Sequence, residues 1–344
     1  FIMKHIGKSY DKVDAKGILS GKPSYTGDFV PKDALIIKVL RSPHAQAKIK
    51  SIDTSKAKLI PGVEAIFTYE DVPNTRFTFA GQTYPEPSAY DALILDSVVR
   101  YVGDEVALVV AKDEATALKA MPLIKVEYEV QKPVLDLRTA MDHETVVHPE
   151  DDILNHIPVG QDYKRNICVS YHKRVGDIEG ELAKCDYVVE GTYFDQATRQ
   201  SAMEPFQSFG YIDHLGRIVI VSSTQIVFHV RRHIARALGI PASKIRVIKP
   251  RIGGGFGSKQ TACTELMTAF VTWKLQKPCY LLYDRTEAQT CSTTRHAREW
   301  YIRVGATKDG IIQVIDMDSI TDAGAHATHC FTTTTAGEHK SVPL

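Results

Sequence analysis

Residues 250–260 read PRIGGGFGSKQ, four glycines in five positions around the single aromatic Phe256, followed by Ser258, Lys259 and Gln260. A glycine held in order costs about 0.5–1 kcal/mol relative to alanine, so such a run implies a sharp bend or a backbone lying against another group. The run sits between a predicted strand and a predicted helix, where backbone N–H groups suit phosphates or other anions. It is not a P-loop, because Ser258 separates Gly257 from Lys259 and Gln260 follows. It is not the G-x-G-x-x-G dinucleotide fingerprint, because no glycine stands five residues after Gly253. A tight turn without a ligand and a loop wrapped on a cofactor both remain open from these residues alone.

The other chemistry-bearing residues carry weaker signals. His229 and His233 stand four apart on a predicted helix, but Arg231, Arg232 and Arg236 beside them disfavour a cation, so the pair reads as a solvated face. His326 and His329 in "HATH" read as lining a loop, not as ligands. Lys244, Arg246, Lys249 and Arg251 alternate along a strand and read as solvated. The cysteines are Cys168, Cys185, Cys263, Cys279, Cys291 and Cys330, with no C-x-x-C pair among them, which suits neither a zinc ribbon nor an iron–sulfur cluster. They read as reduced thiols in a cytoplasmic protein.

The elements around these residues follow from periodicity. "ALIIKVLRS" (34–42), "PGVEAIFTYEDVP" and "DEVALVVA" (104–111) read as strands. Residues 112–121 read as a helix with Asp113 at its N-cap, and "LIKVEYEV" (123–130) as a further strand, together a βαβ-type crossover. The acidic, proline-broken stretch from 131 to 160 reads as a linker. "DIEGELAKC" gives a short helix and "DYVVEGTYFD" a strand. "SFGYIDHLGRIVIVSSTQ" gives a hairpin turning at His214–Gly216, and residues 225–238 an amphipathic helix stopped at Gly239. "SKIRVIK" is a strand, 260–276 a helix with Gln260 at its start, and "YIRVGATKDGIIQVIDMDS" a hairpin turning at Asp309–Gly310. The chain of 344 residues carries a net charge of +1, is 44% hydrophobic, and has no uncharged apolar run near the ~18 residues a membrane helix needs. Bulk charge therefore gives no reason to expect a nucleic-acid or membrane partner.

The glycine loop with "VSSTQ" (221–225), "AMEP" (202–205), "DRTEA" (284–288), "RH" (295–296) and "DAGA" (322–325) resembles the molybdenum-binding part of the xanthine dehydrogenase/aldehyde oxidase family. "VDAKGILSGKPSYTGDF", "RSPHAQAKIKSID" and "YVGDEVALVVAKDEATALKAMPLIKVEYE" resemble that family's α/β hammerhead domain. The resemblance implies an α+β fold: a hammerhead domain over 1–140, a linker over 141–165 and the first part of the cofactor-binding domain over 166–344. It implies that Gln225 matches a glutamine hydrogen-bonded to an oxo ligand of molybdenum, with no direct protein ligand to the metal. Gly254, Gly255, Phe256 and Gly257 would wrap the cofactor, and Phe256 and Gln260 would face the substrate. Glu204 would be structural, and Arg295–His296 would support the turn that follows. The implied cofactor is molybdenum with molybdopterin, alone or as its cytosine dinucleotide. [2Fe–2S] clusters and FAD would lie on partner domains or subunits of an oligomer.

The implied reaction is hydroxylation of a purine-type heterocycle with oxygen from water; an aldehyde, nicotinate or other aza-arene substrate and a non-catalytic assembly fragment are the alternatives. The family's "FRG" motif and its late glutamate base are absent from this sequence, so the chain is expected to hold half an active site and to need the rest of the molybdenum domain. Purine-hydroxylating relatives often carry a glutamate where Gln260 stands. An amide still donates and accepts but has no charge.

Overall fold

The computed structural model describes residues 5–80 and 83–341. Its strands are β1 (Leu35–Arg41), β2 (Ala47–Asp53), β3 (Val63–Phe67), β4 (Val98–Val99), β5 (Glu105–Ala111), β6 (Lys125–Val130), β7 (Tyr187–Asp195), β8 (Gln207–Ile212), β9 (Ile218–Ser222), β10 (Ile245–Ile248), β11 (Cys279–Leu282), β12 (Arg298–Ala306) and β13 (Ile312–Thr321). They form a seven-stranded sheet ordered β10-β9-β8-β11-β1-β5-β3 and two three-stranded sheets, β13-β12-β7 and β4-β2-β6. The large sheet takes strands from both sides of the 131–160 stretch, which is mostly irregular.

The continuous apolar runs lie where both faces are covered. β5 (EVALVVA) and β9 (IVIVS) are buried almost throughout. The helices Val227–Leu238 and Glu265–Leu275 pack on the large sheet, and Ile234, Phe270, Ile220, Leu281, Ile37 and Leu108 share one core. Gly239 ends the first helix in the left-handed region at φ +65°, a conformation that costs glycine nothing. Asp113 caps its helix as expected, accepting from the Thr116 N–H at 2.8 Å. All six cysteines are free thiols.

Three expectations need correction. β5 and β6 do not form a crossover within one sheet. Both edges of β5 are taken by β1 and β3, so β6 pairs antiparallel with β2 and lays Val126 and Tyr128 on its inner face. The glycine loop does not run straight into a long helix. A single 3₁₀ turn, Ser258–Gln260, follows it, Thr261 is extended, and the α-helix begins only at Glu265. The loop's donors are therefore its own N–H groups rather than a long helix dipole. Finally, His233 is not on a solvated face. The 83–92 segment covers that side of the helix, and His233 lies 3% exposed with Nε2 3.9 Å from Glu86.

Candidate active site

The glycine loop leaves β10 and is held from below by one carboxylate. Glu204 Oε2 accepts from the Gly253 N–H at 2.6 Å, from Ser223 Oγ at 2.7 Å and from Lys259 Nζ at 3.0 Å. Its Oε1 accepts from Gln207 Nε2 at 2.7 Å. Lys259 is 1% exposed and also donates to the Glu204 carbonyl. Burial pulls the Lys259 pKa down, and the neighbouring Glu204 opposes that shift only in part. Burial likewise raises the pKa of Glu265, which accepts from Ser222 Oγ at 2.5 Å. The charged pair under the loop is thus hydrogen-bonded on both partners, the condition under which a buried ion pair is tolerated.

The loop is held from the side by the end of β9. The Gln225 N–H donates to the Lys259 carbonyl at 2.8 Å, and Gln225 Oε1 accepts from the Gly257 N–H at 3.2 Å. Gly255 lies so close to the Gln225 amide that an alanine Cβ there would run into it. Gly254 and Gly257 take φ +101° and +93°, and Phe256 itself sits at φ +51°, where a side chain is strained. That strained residue is clamped, because Arg295 donates to the Phe256 carbonyl at 3.1 Å. Its ring points outward, 63% exposed.

The other quoted segments join the same assembly. Arg285 of "DRTEA" donates to the Ala202 and Met203 carbonyls of "AMEP" at 2.7 and 2.8 Å. His296 of "RH" lies 2.7 Å from the Asp322 carbonyl of "DAGA". Among the residues named from sequence, Gln225, Gly255 and Gly257 are in direct contact, and Phe256 lies between them in the chain. Gln260 closes the 3₁₀ turn, its N–H donating to the Gly257 carbonyl at 3.2 Å. The supports that sequence reasoning did not place are the Glu204–Lys259 pair beneath the loop and the Arg295 clamp. The signal for the pair was a lysine two residues after the last glycine of the loop. No sequence pattern linked Arg295 to Phe256 across 39 positions.

Whether this loop can hold a cofactor is testable on its free donors. The N–H groups of Gly254, Gly255 and Phe256 make no hydrogen bond among the described residues, and neither does the Gln225 Nε2 group. Three consecutive backbone donors and the neighbouring Gln225 amide without partners, on a loop of glycines, fit an oxygen-rich group pressed against the backbone.

The matched families agree with this geometry. Residues 159–342 match the family described as the molybdopterin cofactor-binding domain, and residues 20–132 the aldehyde oxidase and xanthine dehydrogenase a/b hammerhead domain. The chain is 38% identical to the Escherichia coli (strain K12) protein named "Probable hypoxanthine oxidase XdhD", covering 98% of this chain and 38% of that protein. It is 31% identical to the nicotinate dehydrogenase large molybdopterin subunit of Eubacterium barkeri, over 94% of this chain and 72% of that subunit. It superposes on the aldehyde oxidoreductase of Desulfovibrio gigas with a TM-score of 0.76 at 25% identity, over 92% of this chain and 34% of that one. The chain thus spans about two fifths of the length of the hypoxanthine oxidase relative.

Proposed function

This chain belongs to the aldehyde oxidase and xanthine dehydrogenase family of molybdenum hydroxylases, and from that premise we propose that its glycine loop holds the molybdopterin cofactor of an enzyme hydroxylating a purine-type heterocycle. The observation that carries the reading is the junction of Gln225 with the loop, where the Gln225 amide N–H and three loop N–H groups have no partner among the described residues. When bound, the cofactor supplies oxidative hydroxylation of an electron-poor carbon with oxygen from water. The N–H groups of Gly254, Gly255 and Phe256 bind its oxygen-rich edge. Gln225 orients the metal centre without ligating it. Phe256 offers an exposed ring against which a planar heterocycle can stack, an arrangement worth about 0.5–1.5 kcal/mol beyond burial. Gln260 donates to and accepts from ring nitrogens of the substrate. Glu204, Lys259 and Arg295 keep the loop in its strained shape, so the donors need no reorganisation on binding.

The 38% identity to the relative named for hypoxanthine supports a purine. A second reading, an aza-arene acid such as nicotinate, is favoured by the 31% identity to the nicotinate dehydrogenase subunit, of which the chain covers the larger share. Both readings place iron–sulfur clusters and a flavin on partner domains or subunits, and both draw further parts of the active site from outside these residues. The test is molybdenum and pterin analysis of the complete enzyme, followed by kcat/KM on hypoxanthine, xanthine, nicotinate and an aldehyde. The proposal expects stoichiometric molybdenum and the highest value for a purine. A protein without molybdenum would return the chain to a non-catalytic role, and preference for nicotinate would select the second reading.

A further inference from the structure

Three segments meet away from the glycine loop. Asp91 comes from the irregular stretch after β3, His148 from the stretch after β6, and His326 from the "DAGAHATH" loop after β13. One ligand-type atom from each lies within 4.8 Å of the others. His326 Nδ1 is 3.4 Å from Asp91 Oδ1, and His148 Nε2 is 4.0 Å from Asp91 Oδ2. The Asp91 and His148 side chains are 2% and 9% exposed. Asp91 Oδ1, His148 Nδ1 and His326 Nδ1 make no well-formed hydrogen bond. Asp91 Oδ2 accepts from the Ala327 N–H at 2.7 Å, while the buried Asp91 Oδ1 and His326 Nδ1, 3.4 Å apart, carry a desolvation cost that something must offset.

We infer that Asp91, His148 and His326 bind a divalent transition-metal cation of the zinc class. Two imidazoles and one carboxylate are a ligand set that zinc takes at about 2.0–2.2 Å. Tetrahedral ligands at that distance stand roughly 3.3 Å apart. The His326–Asp91 pair already has nearly that spacing, and a small rotation of the His148 ring brings the third ligand in. Glu150 Oε2 lies 3.6 Å from His148 Nδ1 on the side away from Asp91. Once a cation takes Nε2, the ring proton sits on Nδ1, on the Glu150 side, and a carboxylate there is the usual outer support of a metal-bound histidine. His148 Nε2 lies 2.7 Å from the Ala325 carbonyl, a hydrogen bond that a cation bound at Nε2 displaces.

A cavity of about 30 Å³ opens beside His326, lined in part by Asp96, Arg100 and Asp104, with room for a water to complete the coordination. Arg100 does not repel the cation outright, because it is paired with Asp96 and Glu150. A cation here would tie the loop that His296 contacts to two segments of the first half of the chain, independently of the molybdenum cofactor.

The competing arrangement is a proton network in which an imidazolium faces Asp91, and metal binding separates the two. The complete enzyme is stripped with dipicolinate and titrated with zinc or cobalt(II). One equivalent per chain beyond molybdenum is expected, with visible d–d absorption for cobalt and a rise in the thermal midpoint for either ion. His148→Ala and His326→Ala should each abolish the cobalt spectrum, Glu150→Gln should weaken binding ~10–100-fold, and His229→Ala should leave it unchanged. His326 is the more exposed histidine, at 14%, so its variant decides if His148→Ala fails to fold. Failure to bind one equivalent, or a cobalt spectrum unchanged in His326→Ala, overturns the site in favour of the proton network.

Discussion

At the scale of single residues, the loop depends on side chains that touch backbone. Gln225→Ala removes both the acceptor of the Gly257 N–H and the free amide donor. A hydrogen bond to a charged group is worth about 1.5–3 kcal/mol, and 1.4 kcal/mol is tenfold in rate. The complete enzyme should lose at least about tenfold in kcat while its circular dichroism stays native; unchanged kinetics at full molybdenum loading would remove Gln225 from the site. Glu204→Gln leaves Lys259 buried beside a neutral amide. Breaking one half of a buried pair costs about 3–5 kcal/mol, and Glu204→Gln with Lys259→Met should restore part of it. Denaturant titration of the single and double variants checks this, and equal stabilities would mean that the pair is not coupled. Gln260→Glu exchanges a neutral for a charge-assisted contact, roughly twice as strong. If Gln260 faces a purine, kcat/KM for hypoxanthine should rise about tenfold and that for an aldehyde should not. A ratio that stays put would take Gln260 out of substrate binding.

At the scale of elements, most strands and helices were legible because their periodicity matched their burial. β5, β9 and the helix Val227–Leu238 carry patterns that only a covered strand or an amphipathic helix explains. The βαβ reading failed because sequence does not say which sheet edges are already occupied. The early helix start failed because helical spacing from Ala262 onward was carried back to Gln260 across Thr261, which is held extended. At the candidate site, motif resemblance singled out Gln225 and the glycines, and the fold puts them in contact, whereas the Arg295 clamp depends on a long-range approach with no local signature. His233 shows the same limit: its three arginine neighbours suggested solvent, but the covering segment is about 150 residues earlier. Burial lowers its pKa from near 6.5 to about 4. The unfolded chain therefore binds a proton between those values and the folded chain does not. The resulting stability is complete above pH 6.5 and is lost as pH falls toward 4, a change of about 3 kcal/mol. Denaturant midpoints should fall over that window, and His233→Asn should flatten the fall; an identical pH profile in the variant would put the acid sensitivity elsewhere.

At the scale of the whole molecule, the site depends on a sheet that the two matched regions build together. β1 lies between β11, to which it runs parallel, and β5, to which it runs antiparallel. Ile37, on β1, is fully buried and sits in the same core as Leu108 of β5 and Leu281 of β11. The strand pairs that flank "STQ" and the glycine loop, β8–β9 and β9–β10, continue from that seam. A cofactor loop whose donors must hold their spacing needs such a continuous backing, because packed interiors transmit displacement rather than absorb it. Ile37→Ala should cost about 2–5 kcal/mol through lost burial and the cavity left behind. If the regions are mechanically one unit, the loss appears on both sides of the seam. Hydrogen exchange in the complete enzyme should speed up in β5 and in β11 and β8, not in β1 and β5 alone. Faster exchange confined to the first region would mean that the two halves open separately, and that the loop is held by its local contacts to Glu204 and Gln225 without help from the sheet beyond.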